Sequence, residues 1–482
     1  MNPSLKPYPR MKDSGVEWLG LVPEHWEVSK LKRSVSNVVN VTSSRTKDEL
    51  YLALENVESW TGRIQVPKCH VEFDSQVKRF VSGDILFGKL RPYLAKVARP
   101  LSRGVCVSEF LVLRPFNNDL SGCFLEPLLR SKNMIDIVNA STFGAKMPRA
   151  DWSFIGNLKT PIPPLSEQIA IVKYLNHVDR KVKRFIRAKR KLIALLEEQK
   201  QVIIHQAVTR GLDPNVPMKD SGVEWLGEVP EHWEVKRVKE ITTPIEQGWS
   251  PQCDAQPAGN QDWGVLKVGC VNSEKFDISQ NKRLPGSLLP KPDLQICDGD
   301  ILVSRANTRE LLGLAALVVN PRPQIMICDK LFRFRVHENL TKARFLVMAL
   351  RSRPSRDQIE TQTNGASDSM QNIGQNVIRN MVVALPPLVE QEKISCFTLS
   401  MMTAIDGTIS TNQREIELLN EYRTRLISDV VTGKLDVREA AAELPDEEEP
   451  DIVEENTDIE ELEDDVIPDL NGGMLQEYEE AE

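Results

Sequence analysis

The sequence predicts a mixed α/β protein built as two copies of one half, each copy an α/β domain followed by a long helix. Three observations carry this expectation: an ordered internal repeat, two helical stretches with heptad-spaced apolar seams, and short strand patterns confined to the stretches between repeated anchors. At 482 residues the chain is too long for one hydrophobic core, so at least two domains are expected.

The repeat comes first because it sets the architecture. Met11 begins M-K-D-S-G-V-E-W-L-G-L-V-P-E-H-W-E-V, and Met218 begins the same run with Glu228 in place of Leu21. Weaker echoes follow in the same order. Gly83-Asp84-Ile85-Leu86 matches Gly299-Asp300-Ile301-Leu302, and Pro163-Pro164-Leu165-Ser166-Glu167-Gln168 matches Pro386-Pro387-Leu388-Val389-Glu390-Gln391. Val208-Thr209-Arg210-Gly211-Leu212-Asp213 is echoed by Val431-Thr432-Gly433-Lys434-Leu435-Asp436. The offset drifts from 207 to 223 residues, so the second copy carries extra chain between its anchors.

Between the anchors, residues 30–160 and 237–383 share almost nothing. Strand patterns fall at 81–86, 105–113, 295–303 and 331–336, bounded by Gly, Pro or Asp. A shared frame around divergent centres suits two readers of different targets.

Each Pro-Pro-Leu is followed by a long helical pattern, because proline ends the extended segment and Ser166 with Glu167 opens a helix. Leu175, Val178, Val182, Phe185, Lys189, Leu192, Leu196, Gln199 and Ile203 recur at alternating spacings of three and four. Met402, Ile405, Ile409, Asn412, Ile416, Leu419, Arg423, Leu426 and Val430 do the same. These are coiled-coil seams, and the first helix would run roughly 65 Å at about 1.5 Å per residue. Lys189 and Asn412 interrupt the seams midway, where polar residues fix register at some cost in stability. An antiparallel pair of these helices within one chain is expected, with intermolecular dimer helices as the alternative.

The boundaries that follow are an α/β domain over 1–163, a helix over 164–210, a second α/β domain over 211–386, a second helix over 387–440, and a tail over 441–482. From Glu443 on there are 19 Asp and Glu and no Lys or Arg. Mutual repulsion and few large apolar residues predict a disordered acidic tail. The body before it holds 61 basic against 50 acidic residues, a net charge of +11 that the overall −8 conceals. A basic body suits a polyanionic partner.

Hydrophobic content of 41% and 27% charged residues are ordinary for a globular protein. No run of 18 apolar residues and no apolar leader occurs, so neither a membrane span nor a secretory signal is expected, and a cytoplasmic location follows. The eight cysteines are scattered without a C-x-x-C pair and read as reduced thiols rather than metal ligands.

Catalytic constellations fail in turn. An N-P-P-Y-like loop for a flipped adenine is missing, since Asn320-Pro321-Arg322 does not match. Glu234-Val235-Lys236 has the spacing of a nuclease motif without its acidic partner. Gly83-x-x-x-x-Gly88-Lys89 mimics a phosphate loop, but Leu90 stands where Ser or Thr is needed and the interior reads as strand. His25 and His232 sit beside Trp26 and Trp233 and are expected to be structural.

The E-W-L-G-x-V-P-E-H-W-E-V opening, the P-P-L-x-E-Q helix start, the V-T-R-G-L-D-P exit and their duplicated order resemble the specificity subunits of Type I restriction-modification enzymes. The resemblance covers nearly everything from Met11 to Glu439. It implies two target recognition domains, each reading half of a split double-stranded DNA site, and helices that dock methyltransferase subunits. It also implies a non-catalytic chain in a phage-defence complex. Methylation and cleavage would lie in other polypeptides, with restriction subunits as further partners. S-adenosylmethionine, ATP and Mg²⁺ would be bound there, with no cofactor on this chain. Nothing in the resemblance accounts for the acidic tail. Two other readings stay open: a coiled-coil scaffold that binds only proteins, and a specificity component of another DNA modification or phage-defence system.

Cations on phosphates supply affinity, and Arg, Lys, Asn and Gln on base edges supply sequence information. In the first domain the candidates are Lys89, Arg91, Tyr93 and Lys96, with Lys146 and Arg149 after Gly144. In the second they are Arg305, Asn307 and Arg309, with Gln371 and Asn372 closing the loop that begins at Asn364, and the Gln247-Gly248-Trp249 turn as a weaker candidate. Different side chains at matched loops predict an asymmetric site. Trp18 and Trp225, in the near-identical leading segments, are candidates for partner docking; their identity implies one partner bound twice, hence two modification subunits per chain.

Overall fold

The computed structural model describes residues 5–46, 48–66, 76–117, 119–142, 144, 147–362 and 371–445. Lys146 and most of the acidic tail lie outside the described residues. The chain divides into two compact units, one comprising Met1–Val182 with the chain from Asn420 on, the other Lys183–Leu419.

In the first unit the central sheet has the order Val35–Asn37, Phe110–Pro115, Ile85–Gly88, Val97–Ala98, antiparallel throughout. A second sheet of four short strands includes the parallel pair Gly104–Val107 and Leu50–Leu52. In the second unit the central sheet runs Glu246–Gln247, Leu331–Phe334, Ile301–Ser304, Ala315–Leu317, again antiparallel. The two sheets have the same order although their sequences do not align. Buried Phe87, Phe124 and Trp26 anchor one core, and Phe332, Phe345 and Trp233 anchor the other.

The repeated Gly-Asp-Ile-Leu explains how. Gly83 and Gly299 turn with φ of +87° and +86°, a region that favours glycine. Asp84 then accepts the Val81 N–H at 2.8 Å and the Arg114 guanidinium at 2.7 Å. Asp300 accepts the Cys297 N–H at 2.8 Å and Arg335 at 2.6 Å. A buried carboxylate with these partners keeps its charge compensated and fixes the start of the central strand. The strand expectations at 81–86 and 295–303 are therefore corrected. Pairing begins only at Ile85 and Ile301 because the preceding residues form this turn. Ile85–Gly88 is buried along its length, a strand rather than a phosphate loop.

The Pro-Pro-Leu-x-Glu-Gln motif ties each leading segment to its helix. Glu167 accepts from the Trp26 indole at 2.9 Å, the Tyr8 hydroxyl at 3.0 Å and His25 at 2.6 Å. Glu390 accepts from Trp233 at 3.1 Å and His232 at 2.8 Å. Gln168 takes the Ser121 N–H and donates to the Asp119 and Pro163 carbonyls. Gln391 does the equivalent with Lys342, Leu340 and Pro386. His25, Trp26, His232 and Trp233 thus all bond a glutamate at a helix start.

The helices are continuous over Leu165–Thr209 and Leu388–Val431. In the first unit the start of the first helix meets the end of the second: Leu175, Leu426 and Val430 share one core, and Arg423 reaches Asp179 at 2.5 Å. In the second unit the end of the first helix meets the start of the second, with Ile204, Met402, Ile405 and Ile409 in one core. The pairing is antiparallel in each. The second seam matches its expectation. The first holds at Leu175, Val182 and Leu196, but Phe185 (53%) and Leu192 (42%) are exposed, whereas the adjacent Ile186 is buried, Ile193 is packed against the core, and Lys200 is buried in place of Gln199. Apolarity alone favoured Phe185 and Leu192; Lys189 holds its expected place, Lys200 enters the seam beside it, and both charges find partners across it.

The exits close each unit. A side chain at Gly433 would lie 2.4 Å from Pro23 and 2.8 Å from Trp26, and one at Gly211 would lie 3.2 Å from Trp233. Each helix thus ends against a leading-segment tryptophan at a glycine with positive φ, and at Gly433 there is no room for a side chain.

Candidate nucleic-acid interface

In the first unit the chain leaving Ile85–Gly88 makes a short 3-10 turn, Pro92–Leu94, flanked by Arg91 and Ala95 at φ of +50° and +48°. Leu90 bridges Arg149, the Arg91 N–H donates to the Pro148 carbonyl at 2.8 Å, and the Ala150 N–H donates to the Lys89 carbonyl at 2.8 Å. Two segments that sequence treats separately form one surface. Arg91 and Tyr93 are exposed on it. Arg149 is held by Glu109 at 3.3 Å with half its side chain exposed. Lys89 is half-buried. Lys96 turns inward and donates to the Leu54 carbonyl at 2.7 Å; burial pushes its pKa down.

Sequence reasoning missed Lys78, which donates to the Ser108 and Phe110 carbonyls and whose pKa is lowered by burial and then by Lys89. A lone lysine in a short strand carries no signal that would have exposed it.

In the second unit the chain leaving Ile301–Ser304 pairs with the later loop in the same way. Ala306 and Asn307 ladder with Asn372 and Gln371, and the Ile373 N–H donates to the Arg305 carbonyl at 3.0 Å. Arg305 reaches the Asp329 carbonyl at 3.4 Å. The Asn307 amide donates to Asn272 Oδ1 at 3.2 Å, bringing in a residue absent from the sequence candidates. Arg309 is exposed, 3.8 Å from Glu360. Gln371 is buried, and among the described residues no donor reaches its Oε1. Asn372 is exposed. At the Gln247-Gly248-Trp249 turn a side chain on Gly248 would strike the Ile327 carbonyl at 2.2 Å, and Lys291 caps the Trp249 ring at 4.4 Å.

Trp18 is half-buried beside a groove of about 470 Å³ that also takes in Pro7, Met11, Leu21 and Lys434. Trp225 is 37% exposed. Among the described residues no cluster of His, Cys, Asp or Glu is arranged to hold a metal, and no helix is long and apolar enough to cross a membrane.

Two α/β units with one sheet order, each pairing the loop after its central strand with a later loop and each joined to both long helices, define a duplicated α/β architecture. No family model matches the chain. It is 35% identical over 204 residues to the type I restriction enzyme EcoEI specificity subunit of Escherichia coli, covering 42% of this chain and 34% of that one. It therefore spans about a third of the length of that relative. It is 26% identical over 368 residues to the type I restriction enzyme MjaVIII specificity subunit of Methanocaldococcus jannaschii, covering 74% of this chain and 77% of that one. The same fold occurs in a solved structure from a type I R-M system, with a TM-score of 0.67 at 18% identity over 86% of this chain and 99% of the other. Over most of its length the chain is thus similar to type I restriction enzyme specificity subunits.

Proposed function

We propose that this chain is the non-catalytic, sequence-reading subunit of a type I restriction-modification complex, recognising a bipartite, asymmetric duplex site. The observation that carries this reading is the matched loop pairing. The same strand in each unit delivers a loop that pairs with a later segment, but the side chains differ: Arg91, Tyr93 and Arg149 in one, Arg305, Asn307, Arg309 and Asn372 in the other. Arginine reads guanine edges bidentately and asparagine reads adenine, so different sets at equivalent places select different half-sites. The surrounding basic residues supply the sequence-independent affinity for phosphate.

Two methyltransferase subunits would dock on the helix pair and on the repeated Trp18 and Trp225 segments, with restriction subunits joining them. S-adenosylmethionine, ATP and Mg²⁺ would be bound by those partners in the cytoplasm. The test is single-molecule methylation mapping of DNA from cells that co-express the chain with its modification subunit. A split motif with methyladenine in both halves is expected, and exchanging residues 30–160 should alter one half only. A modification subunit that binds the chain without any chain-dependent methylation would overturn the reading in favour of a scaffold.

A further inference from the structure

A second feature lies away from the candidate DNA loops, where the helix Gly122–Arg130 meets both long helices in the first unit. A cavity of about 100 Å³ is lined there by three arginines, Arg99, Arg130 and Arg423, and two carboxylates, Glu126 and Asp179. Arg130 donates to Glu126 at 2.7 Å, Arg423 reaches Asp179 at 2.5 Å, and Arg99 Nε stands 3.7 Å from Glu126. All three Nε–H groups are buried, and among the described residues no acceptor lies within hydrogen-bond reach of any of them. An unmet buried donor is costly, most of all on a charged group. Three around one cavity call for an acceptor that the described residues do not provide.

The equivalent junction of the second unit shows that this is no requirement of the fold. The P-P-L-x-E-Q register puts Lys200 at the place of Arg423, and the chain signature Leu-Arg-Ser puts Arg351 at the place of Arg130. Lys200 there meets three carboxylates, Asp406 at 2.8 Å, Glu274 at 3.3 Å and Glu197 at 3.4 Å. Arg351 spends its donors on the Ala315 and Val271 carbonyls at 2.8 and 3.1 Å. Two cations face three acids in one unit, and three cations face two acids in the other. The first junction is left cationic with unmet donors; the second is closed upon itself.

We propose that the first-unit junction is an oxyanion site, sized for a single phosphate or carboxylate group and too small for a nucleotide. A group with several acceptor oxygens satisfies the three Nε–H donors together, and its charge balances the excess guanidinium. Bound there, it ties the recognition domain's helix to the long helices through Arg130 and Arg423. The oxyanion has two sources, free inorganic phosphate or a carboxylate of the chain's own acidic segment. The described chain ends close by, with Lys173 of the same long helix donating to the Leu444 carbonyl at 2.7 Å.

The test is calorimetric titration of inorganic phosphate into the full-length chain at constant ionic strength. It is repeated with a full-length variant carrying Asp446→Asn, Glu447→Gln, Glu448→Gln and Glu449→Gln. Equal binding of one phosphate by both chains identifies a free ion as the occupant, and binding that emerges only in the neutralised variant identifies the chain's own carboxylates. In either case Arg99→Gln, at the most accessible of the three arginines, should weaken binding at least about tenfold. Arg353→Gln, far more exposed in the second unit, should leave it unchanged. Circular dichroism confirms that the variants are folded. No phosphate binding by either chain, or binding indifferent to both Arg99→Gln and Arg423→Gln, overturns the proposal and leaves the cavity to water.

Discussion

Lys189 and Asn412, the two polar residues that interrupt the apolar seams, meet each other: the lysine ammonium donates to Asn412 Oδ1 at 3.2 Å. Glu415 takes the same ammonium, and the Asn412 amide donates to the Thr408 carbonyl at 2.9 Å. Each polar group is satisfied only when the helices are in this register, because a slip of one turn would bury the ammonium against apolar side chains.

Asn412→Leu alone removes an acceptor from a partly buried cation, and it is expected to lower stability by about 1–2 kcal/mol. The double change Lys189→Leu with Asn412→Leu should recover that loss or exceed it, since apolar replacements of a buried polar pair are often neutral or stabilising. Urea midpoints for the wild type, both single variants and the double variant check this. A double variant as unstable as the sum of the singles would deny the pairing.

Glu167 and Glu390 hold equivalent places, but Glu167 carries the greater load. It accepts from Tyr8, Trp26 and His25, and it lies 3.6 Å from Arg438, whose guanidinium covers the Tyr8 ring at 4.9 Å. The Glu167 side chain is also less exposed, at 9% against 27% for Glu390. Glu167→Gln should therefore cost about 2–3 kcal/mol, because one amide oxygen cannot serve three donors and its NH2 faces donors. Glu390→Gln should cost about half as much. Thermal unfolding of the two variants side by side gives the order; equal losses would refute the difference in load.

The cysteines separate by environment. Burial pushes the Cys106 thiol from the usual 9.0 up to about 12 and Cys328 up to about 11, and it raises Cys270 as well. The thiolate is the nucleophile, so these three should resist alkylation in the native chain at neutral pH, while exposed Cys297 and Cys396 react. The raised pKa values also bear on stability. Below about pH 9 the thiols are protonated in both states and their contribution is intact. Between about pH 9 and 12 the unfolded thiols ionise first, and stability falls. Mass mapping of labelled peptides, with and without denaturant, checks the reactivity.

Much of the frame was legible because it is written twice. Duplication marked the leading segments, the helix starts and the exits, and the structure shows why those residues recur: Glu167 with Trp26, Gln168 with Ser121, Gly433 against Trp26. Their partners were not legible, since contacts such as Trp26 to Glu167 span 141 residues. Three positions of the first seam, Phe185, Leu192 and Gln199, were read one residue early because apolar spacing cannot anticipate a buried Lys200 paired with Asp406. At the candidate interface, sequence found the two loops of each unit but not their pairing, nor that Lys96 points inward.

That inward turn separates two neighbouring cations experimentally. Arg91 is exposed on the loop surface, whereas Lys96 caps the Leu54 carbonyl at 2.7 Å with its pKa lowered by burial. Arg91→Ala should weaken binding of target duplex by about 1–3 kcal/mol if the arginine reads a base. If it contacts phosphate, the loss should be uniform across sequences and the salt slope should fall by about one. Unfolding midpoints should not move in either case. Lys96→Met should do the reverse, lowering the unfolding midpoint through the lost hydrogen bond while leaving the affinity of the folded complex nearly intact. Fluorescence anisotropy across a salt series, paired with urea unfolding, distinguishes the two roles. Equal affinity losses at unchanged stability would return Lys96 to the DNA-contacting set, and full affinity in Arg91→Ala would move the reading surface elsewhere in the first unit.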